Sequence, residues 1–131
     1  MAHVSVGVDA IEIQRIRNAR ERFGERFLRR VYTEREQSRY ANRISELAAR
    51  FAGKEAISKA LGTGLKGVAW REMEILPNPR GKPLVYLHGR ALERARYLGL
   101  RQFAISLTHT NTLAIAFVVA SSDENPVEGI L

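Results

Sequence analysis

The chain has 131 residues, 45% of them hydrophobic and 27% charged, and it contains no cysteine. That length suits one compact domain with a single core, and the missing thiols exclude disulfides, thiolate metal sites and cysteine nucleophiles. A formal net charge of +7 favours an anionic partner: nucleic acid, a membrane surface, a phosphorylated cofactor or an acidic protein.

The charge is uneven. Eleven arginines lie between Arg15 and Arg50, against five acids from Glu21 to Glu46; the same block also reads as an ordinary solvated helical face. No apolar run approaches the roughly 20 residues of a membrane span, and the N-terminus has no basic-then-apolar signal pattern. A cytoplasmic location is expected.

In chain order, Val4, Val6 and Val8 alternate with His3, Ser5 and Gly7, which predicts a strand with one buried face, ending at Asp9. Ile11, Ile13 and Ile16 then lead an arginine-rich helical segment to about Arg30. Thr33 and Glu36 have the spacing of a capping box and should open another helix. A long helix follows near residues 45–61, and Gly62 and Gly64 supply the backbone freedom to stop it. Residues 72–76 and 83–87 read as two strands around the turn Pro77-Asn78-Pro79-Arg80-Gly81-Lys82. Ala91, Leu92, Ala95 and Leu98 sit at helical spacing before Gly99. Two apolar runs, 103–107 and 113–120, flank a polar turn that carries His109. The expected fold is α+β, a small antiparallel sheet packed with a long central helix. Residues 1–120 should form the single domain and residues 121–131 a flexible tail.

The most informative run is Arg50-Phe51-Ala52-Gly53-Lys54-Glu55-Ala56-Ile57-Ser58-Lys59-Ala60-Leu61-Gly62-Thr63-Gly64. Ile44, Leu47, Ala48 and Phe51 form an apolar stripe, and Glu55 projects into its middle with Lys59 one turn on. A carboxylate there needs compensation, either by a salt bridge or by a ligand. Taken singly, each candidate also has an ordinary reading. Asp9 suits a helix N-cap before Ile11. Glu55 and Lys59 suit an i,i+4 ion pair, and His109 an exposed turn residue. Together, two carboxylates from separate elements suit a hard cation such as Mg²⁺, and Lys59 suits a phosphate. Gly62-Thr63-Gly64 follows a helix C-terminus, whose dipole repels anions, so it is not a phosphate-cradling loop of the usual kind. Serine-hydrolase, zinc-protease and dinucleotide-binding signatures are missing.

Gly7-Val8-Asp9 with Glu12-Ile13-Gln14-Arg15-Ile16, the run 50–64, Glu74-Ile75-Leu76, Gly81-Lys82-Pro83 and Ser106-Leu107-Thr108-His109-Thr110, in this order, resemble the holo-[acyl-carrier-protein] synthases. These are small bacterial 4′-phosphopantetheinyl transferases, and the resemblance runs from about Val4 to Ala120. It implies the fold of that family and transfer of phosphopantetheine from coenzyme A to a serine of acidic apo acyl carrier protein, in fatty acid biosynthesis. Adenosine 3′,5′-bisphosphate would be released. It further implies Mg²⁺ (or Mn²⁺) at Asp9 and Glu55. Lys59 and His109 would contact coenzyme A phosphates, and Gly62, Thr63, Gly64, Pro83 and Thr110 would line the coenzyme pocket. Asp9, Glu55, Lys59 and His109 would thus form the catalytic set, and Arg15 would dock the carrier. A homotrimer with sites between subunits is implied as well, with neither nucleic acid nor membrane as partner. Whether Glu55 or a metal-bound water takes the serine proton stays open. Ala10, Ile57 and Thr108 depart from the usual family residues and bear on pocket shape.

The alternative from another class is a basic, non-enzymatic nucleic-acid-binding module. It would bind DNA or RNA with steep salt dependence and no need for metal or coenzyme A. The chain carries no aromatic ribonucleoprotein signature or zinc-finger pattern.

Overall fold

The computed structural model describes residues 3–123. Strand β1 (Val4–Glu12) leads into helices α1 (Ile13–Phe23), α2 (Glu25–Val31), α3 (Glu34–Tyr40) and the long α4 (Ile44–Ala60). Two short 3₁₀ turns then lead to strands β2 (Met73–Pro77) and β3 (Pro83–Leu87), helix α5 (Gly89–Leu98), and strands β4 (Gln102–His109) and β5 (Leu113–Ser121). The fold is α+β. One antiparallel sheet has the order β1-β5-β4, and β2 and β3 form a separate hairpin. Helix α4 lies across the inner face of the three-stranded sheet and also meets β2. No helix among the described residues is long and apolar enough to cross a membrane.

Several local rules act as expected. Thr33 and Glu36 form a complete capping box, with the Glu36 amide donating to Thr33 Oγ1 at 3.2 Å and the Thr33 amide to Glu36 Oε1 at 2.8 Å. Gly62, at φ 75°, ends α4. The arginine-rich segment is two helices rather than one, because Gly24 adopts φ 57° and sends its amide back to Arg20 O. A left-handed residue there breaks the helix without steric cost.

Strand β1 departs from expectation in two ways. It continues through Asp9 to Glu12, since its backbone pairs with β5 from Val4↔Ser121 to Glu12↔Leu113. Asp9 is therefore a strand residue and no N-cap; α1 begins at Ile13, after Glu12. The strand also faces the other way. Val4, Val6 and Val8 are 60%, 56% and 55% exposed, while Gly7 and Ile11 are buried. Alternation defines two faces but not which one meets the core. Gly7 decides it: a Cβ there would stand 1.9 Å from Ala56 O, so only glycine lets β1 approach α4 this closely.

The stripe on α4 is also corrected. The helix is buried over most of its circumference, with Leu47, Ala48, Ala52, Ala56, Ile57 and Ala60 all at or near zero exposure. Phe51 and Glu55 are half-buried and Lys59 is exposed. Glu55 thus lies on the most open line of the helix, and the charge buried in the core is its neighbour Lys54. At its C-terminal end β5 still includes Ser121. The remainder of the expected tail, from residue 124, lies outside the described residues.

Candidate active site

The closeness of β1 to α4 brings three charged side chains together. Asp9 stands two residues after Gly7 and Glu55 one residue before Ala56, so the glycine contact sets both carboxylates at the same junction. Lys59, one turn beyond Glu55, donates from Nζ to Val8 O at 3.0 Å and to Asp9 Oδ1 at 3.2 Å. Partial burial, then the nearby Asp9 carboxylate, raise the pKa of Glu55 above the ordinary carboxylate value, and Lys59 opposes the shift. Lys59 therefore pairs with Asp9, and Glu55 is the less compensated of the two acids. Among the described residues no group of three or more His, Asp or Glu side chains forms a metal cluster. Two adjoining carboxylates with one lysine fit Mg²⁺, which takes one or two protein carboxylates and completes its shell with water and substrate phosphates.

Gly62-Thr63-Gly64 leaves the end of α4 three residues beyond Lys59. Gly62 and Gly64 both adopt positive φ, and Thr63 Oγ1 donates to Gly64 O at 2.7 Å. Arg15 projects from α1, exposed and without a partner among the described residues.

The other predicted residues gather elsewhere. Pro83, at the start of β3, and His109, at the end of β4, share a cleft of about 150 Å³ with Glu46, Arg50, Gly81 and Thr108. His109 is exposed, and its Nδ1–H donates to Thr110 O at 3.3 Å in the matching tautomer. Thr110 Oγ1 accepts from the Thr112 and Leu113 amides and closes the β4–β5 turn. Asp9, Glu55 and Lys59 do not line this cleft. In one chain the predicted site is therefore in two parts, which β5 separates in the sheet.

A polar network not anticipated from the sequence holds the frame. Lys54 and Glu36 are both 0% exposed and pair at 2.8 Å. Lys54 Nζ also donates to Met73 O at 2.7 Å and Trp70 O at 3.1 Å, while Glu36 Oε2 accepts the Ile75 amide at 2.8 Å. Burial lowers the pKa of Lys54, and the Glu36 carboxylate opposes that shift. Arg50, on the same side of α4, donates to Ile75 O, Glu46 and Tyr40 Oη, with its guanidinium 3.8 Å from the Tyr40 ring centroid. The available signals were the small-residue content of α4, which suits a helix packed on all sides, and the acid of the capping box.

Residues 5–118 match the family described as the 4′-phosphopantetheinyl transferase superfamily. The chain is 53% identical over 120 residues to the holo-[acyl-carrier-protein] synthase of Herpetosiphon aurantiacus, covering 86% of this chain and 94% of that one. It is 48% identical over 114 residues to the enzyme of Dehalococcoides mccartyi, covering 87% and 95%. The structure resembles Helicobacter pylori holo-[acyl-carrier-protein] synthase in complex with coenzyme A, with a TM-score of 0.80, 33% identity, and coverage of 88% and 98%. The chain belongs to the phosphopantetheinyl transferases and, among them, to the holo-[acyl-carrier-protein] synthase family. It is an enzyme.

Proposed function

We propose that this chain transfers the 4′-phosphopantetheine moiety of coenzyme A to a serine hydroxyl of apo acyl carrier protein, in a Mg²⁺-dependent, cytoplasmic reaction of fatty acid biosynthesis. The observation that carries the reading is the junction of Asp9, Glu55 and Lys59. The serine oxygen forms a bond to the pantetheine-bearing phosphorus, and the bond from that phosphorus to the bridging oxygen breaks. Adenosine 3′,5′-bisphosphate departs with the electron pair, and the serine proton passes to Glu55 or to a water held beside it.

Such a displacement needs the phosphate charge offset and the nucleophile held in line. Asp9 and Glu55 would hold the cation, Mg²⁺ or Mn²⁺, whose charge offsets that of both phosphates when it is bound. Lys59, already at Asp9, adds a point charge within reach of the same oxygens. Gly62-Thr63-Gly64 lines the donor pocket beside it, and Pro83, His109 and Thr110 contribute the remaining coenzyme contacts. Exposed Arg15 and the basic surface of α1 and α2 suit an acidic carrier, and charges of this kind mainly raise the association rate.

The separation of the two parts within one chain supports a site completed between subunits of a homotrimer, with His109 of one subunit facing Asp9 and Glu55 of another. The outer sheet face supports the same assembly: Val4, Val6, Val8, Leu113 and Phe117 are exposed there as a contiguous apolar surface. Patches of this kind mark interaction sites.

The test is the intact mass of an apo acyl carrier protein incubated with the enzyme, coenzyme A and Mg²⁺. The carrier should gain one phosphopantetheine, and chelation should stop it. No gain with carriers from several sources in excess Mg²⁺ would overturn the reading.

A further inference from the structure

The end of α4 is capped both by its own turn and by side chains from two other elements. The last carbonyls of a helix need partners from outside its own hydrogen-bond ladder, and together they present the negative end of the macrodipole. Ser58 O accepts the Thr63 amide at 3.2 Å, and Lys59 O accepts the Gly62 amide at 3.0 Å. These two bonds fold the chain back into the Gly62-Thr63-Gly64 turn. Ala60 O accepts Ser5 Oγ of β1 at 2.6 Å, and Leu61 O accepts Arg94 Nε of α5 at 3.0 Å. The turn is therefore fixed from two sides, by the strand that bears Asp9 and by an arginine.

Arg94 is a residue that the sequence motifs do not include. Ala91 and Ala95 of α5 are buried, and Arg94 extends from beside them to α4. Its Nη2 lies 3.5 Å from where a Cβ on Gly62 would stand, so the guanidinium covers the turn. No carboxylate pairs with it among the described residues, and the Tyr97 ring centroid lies 5.6 Å from its Cζ. The charge is thus not offset by an acid, and the Nη donors remain available beside the turn that the proposed function assigns to the coenzyme.

We propose that Arg94 is a positioning residue for the donor: it holds the Gly62-Thr63-Gly64 turn and offsets the negative end of α4, so that this pocket accepts the phosphates of coenzyme A. The proposal rests on the donor site proposed above. It assigns Arg94 to coenzyme binding and gives it no part in carrier docking or in the chemical step.

The test compares wild type with Arg94→Met and Arg94→Lys in steady-state transfer and in calorimetric titration with coenzyme A. Arg94→Met should raise the KM for coenzyme A about 3- to 10-fold, which lies within the reach of a partly buried charge at a helix end, and weaken direct binding by the same factor. The kcat and the KM for carrier protein should stay within about twofold of wild type, and Arg94→Lys should recover part of the loss because it keeps the charge. An unchanged KM and affinity for coenzyme A in Arg94→Met would overturn the assignment. So would an equal loss toward both substrates accompanied by a lower melting temperature, which marks scaffolding alone. If Arg94→Met fails to fold, Arg94→Gln, uncharged but still able to donate to Leu61 O, takes its place under the same criteria. Wild-type protein that neither binds coenzyme A nor modifies a carrier would instead overturn the proposed function.

Discussion

Lys54 and Glu55 are neighbours in sequence, yet they occupy opposite kinds of environment. Lys54 is fully buried, with the Glu36 carboxylate and two backbone carbonyls around its ammonium. Glu55 is half-buried beside a second carboxylate, and its pKa is raised in consequence. On the closed side every polar group is answered from within the chain, and the charges serve to join α4, α3 and β2. On the open side like charges adjoin and compensation is incomplete. A fold bears such an arrangement where a ligand completes it, and groups with shifted titration accordingly concentrate at functional sites. One helix therefore carries a fully paired charge and, one residue on, the incompletely compensated charge to which the proposed function gives the reactive role.

The largest effect should follow from breaking the closed side. Lys54→Met leaves Glu36 buried without its counter-ion, which typically costs about 3–5 kcal/mol. Urea denaturation should register that loss, and a change under about 1 kcal/mol would mean that water or rearrangement reaches Glu36. On the open side, Asp9→Asn should behave in the opposite way. Its folding midpoint should stay near wild type while transfer falls about 10²- to 10³-fold, the usual consequence of removing one electrostatic contact at a reacting centre. A melted protein would show Asp9 to be structural.

At the proposed contact between subunits, Val8→Asp sharpens the comparison, since Val8 lies on the outer face one residue from Asp9. A carboxylate buried in an apolar contact costs several kcal/mol. Sedimentation should find a folded protein of lower mass with depressed activity, whereas an unaltered mass would remove the outer face from the assembly. Arg15→Glu is milder: the KM for carrier protein should rise about tenfold, near 1.4 kcal/mol, with the KM for coenzyme A unchanged. Equal damage to both would argue against docking.

The smallest effect concerns pH. Because the folded pKa of Glu55 is raised, the folded metal-free protein holds that proton to higher pH than the unfolded chain does. Stability contributed at Glu55 is then undiminished below the unfolded pKa and falls as pH rises to the folded one. With chelator present, the stability of Glu55→Gln relative to wild type should climb through the carboxylate range and level off above it. A difference that grows toward acid would contradict the direction.

Much of this was legible from residues a few positions apart. The capping box at Thr33 and Glu36, the stop at Gly62 and the Pro77–Lys82 turn are local chemistry, and local chemistry is visible in a sequence. The association of Asp9 with Glu55 and Lys59 was reached through motif order, and the fold brings them together. What eluded the sequence depends on distant partners. The inward face of β1 depends on Gly7 meeting Ala56 O, which alternation among the valines cannot reveal. Burial of Lys54 depends on Glu36 and on the Trp70 and Met73 carbonyls, none of which adjoins it in sequence. The division of the predicted site in two depends on β5 running between the strands that bear Asp9 and His109.

The most direct test of the division between Lys54 and Glu55 is the single-turnover rate of phosphopantetheine transfer by Glu55→Gln, taken with its melting curve. The expected result is a protein as stable as wild type or slightly more so, with transfer slowed at least about 100-fold in saturating Mg²⁺. A folded Glu55→Gln enzyme that modifies the carrier at the wild-type rate would contradict the claim that the open side of α4 is the reactive one.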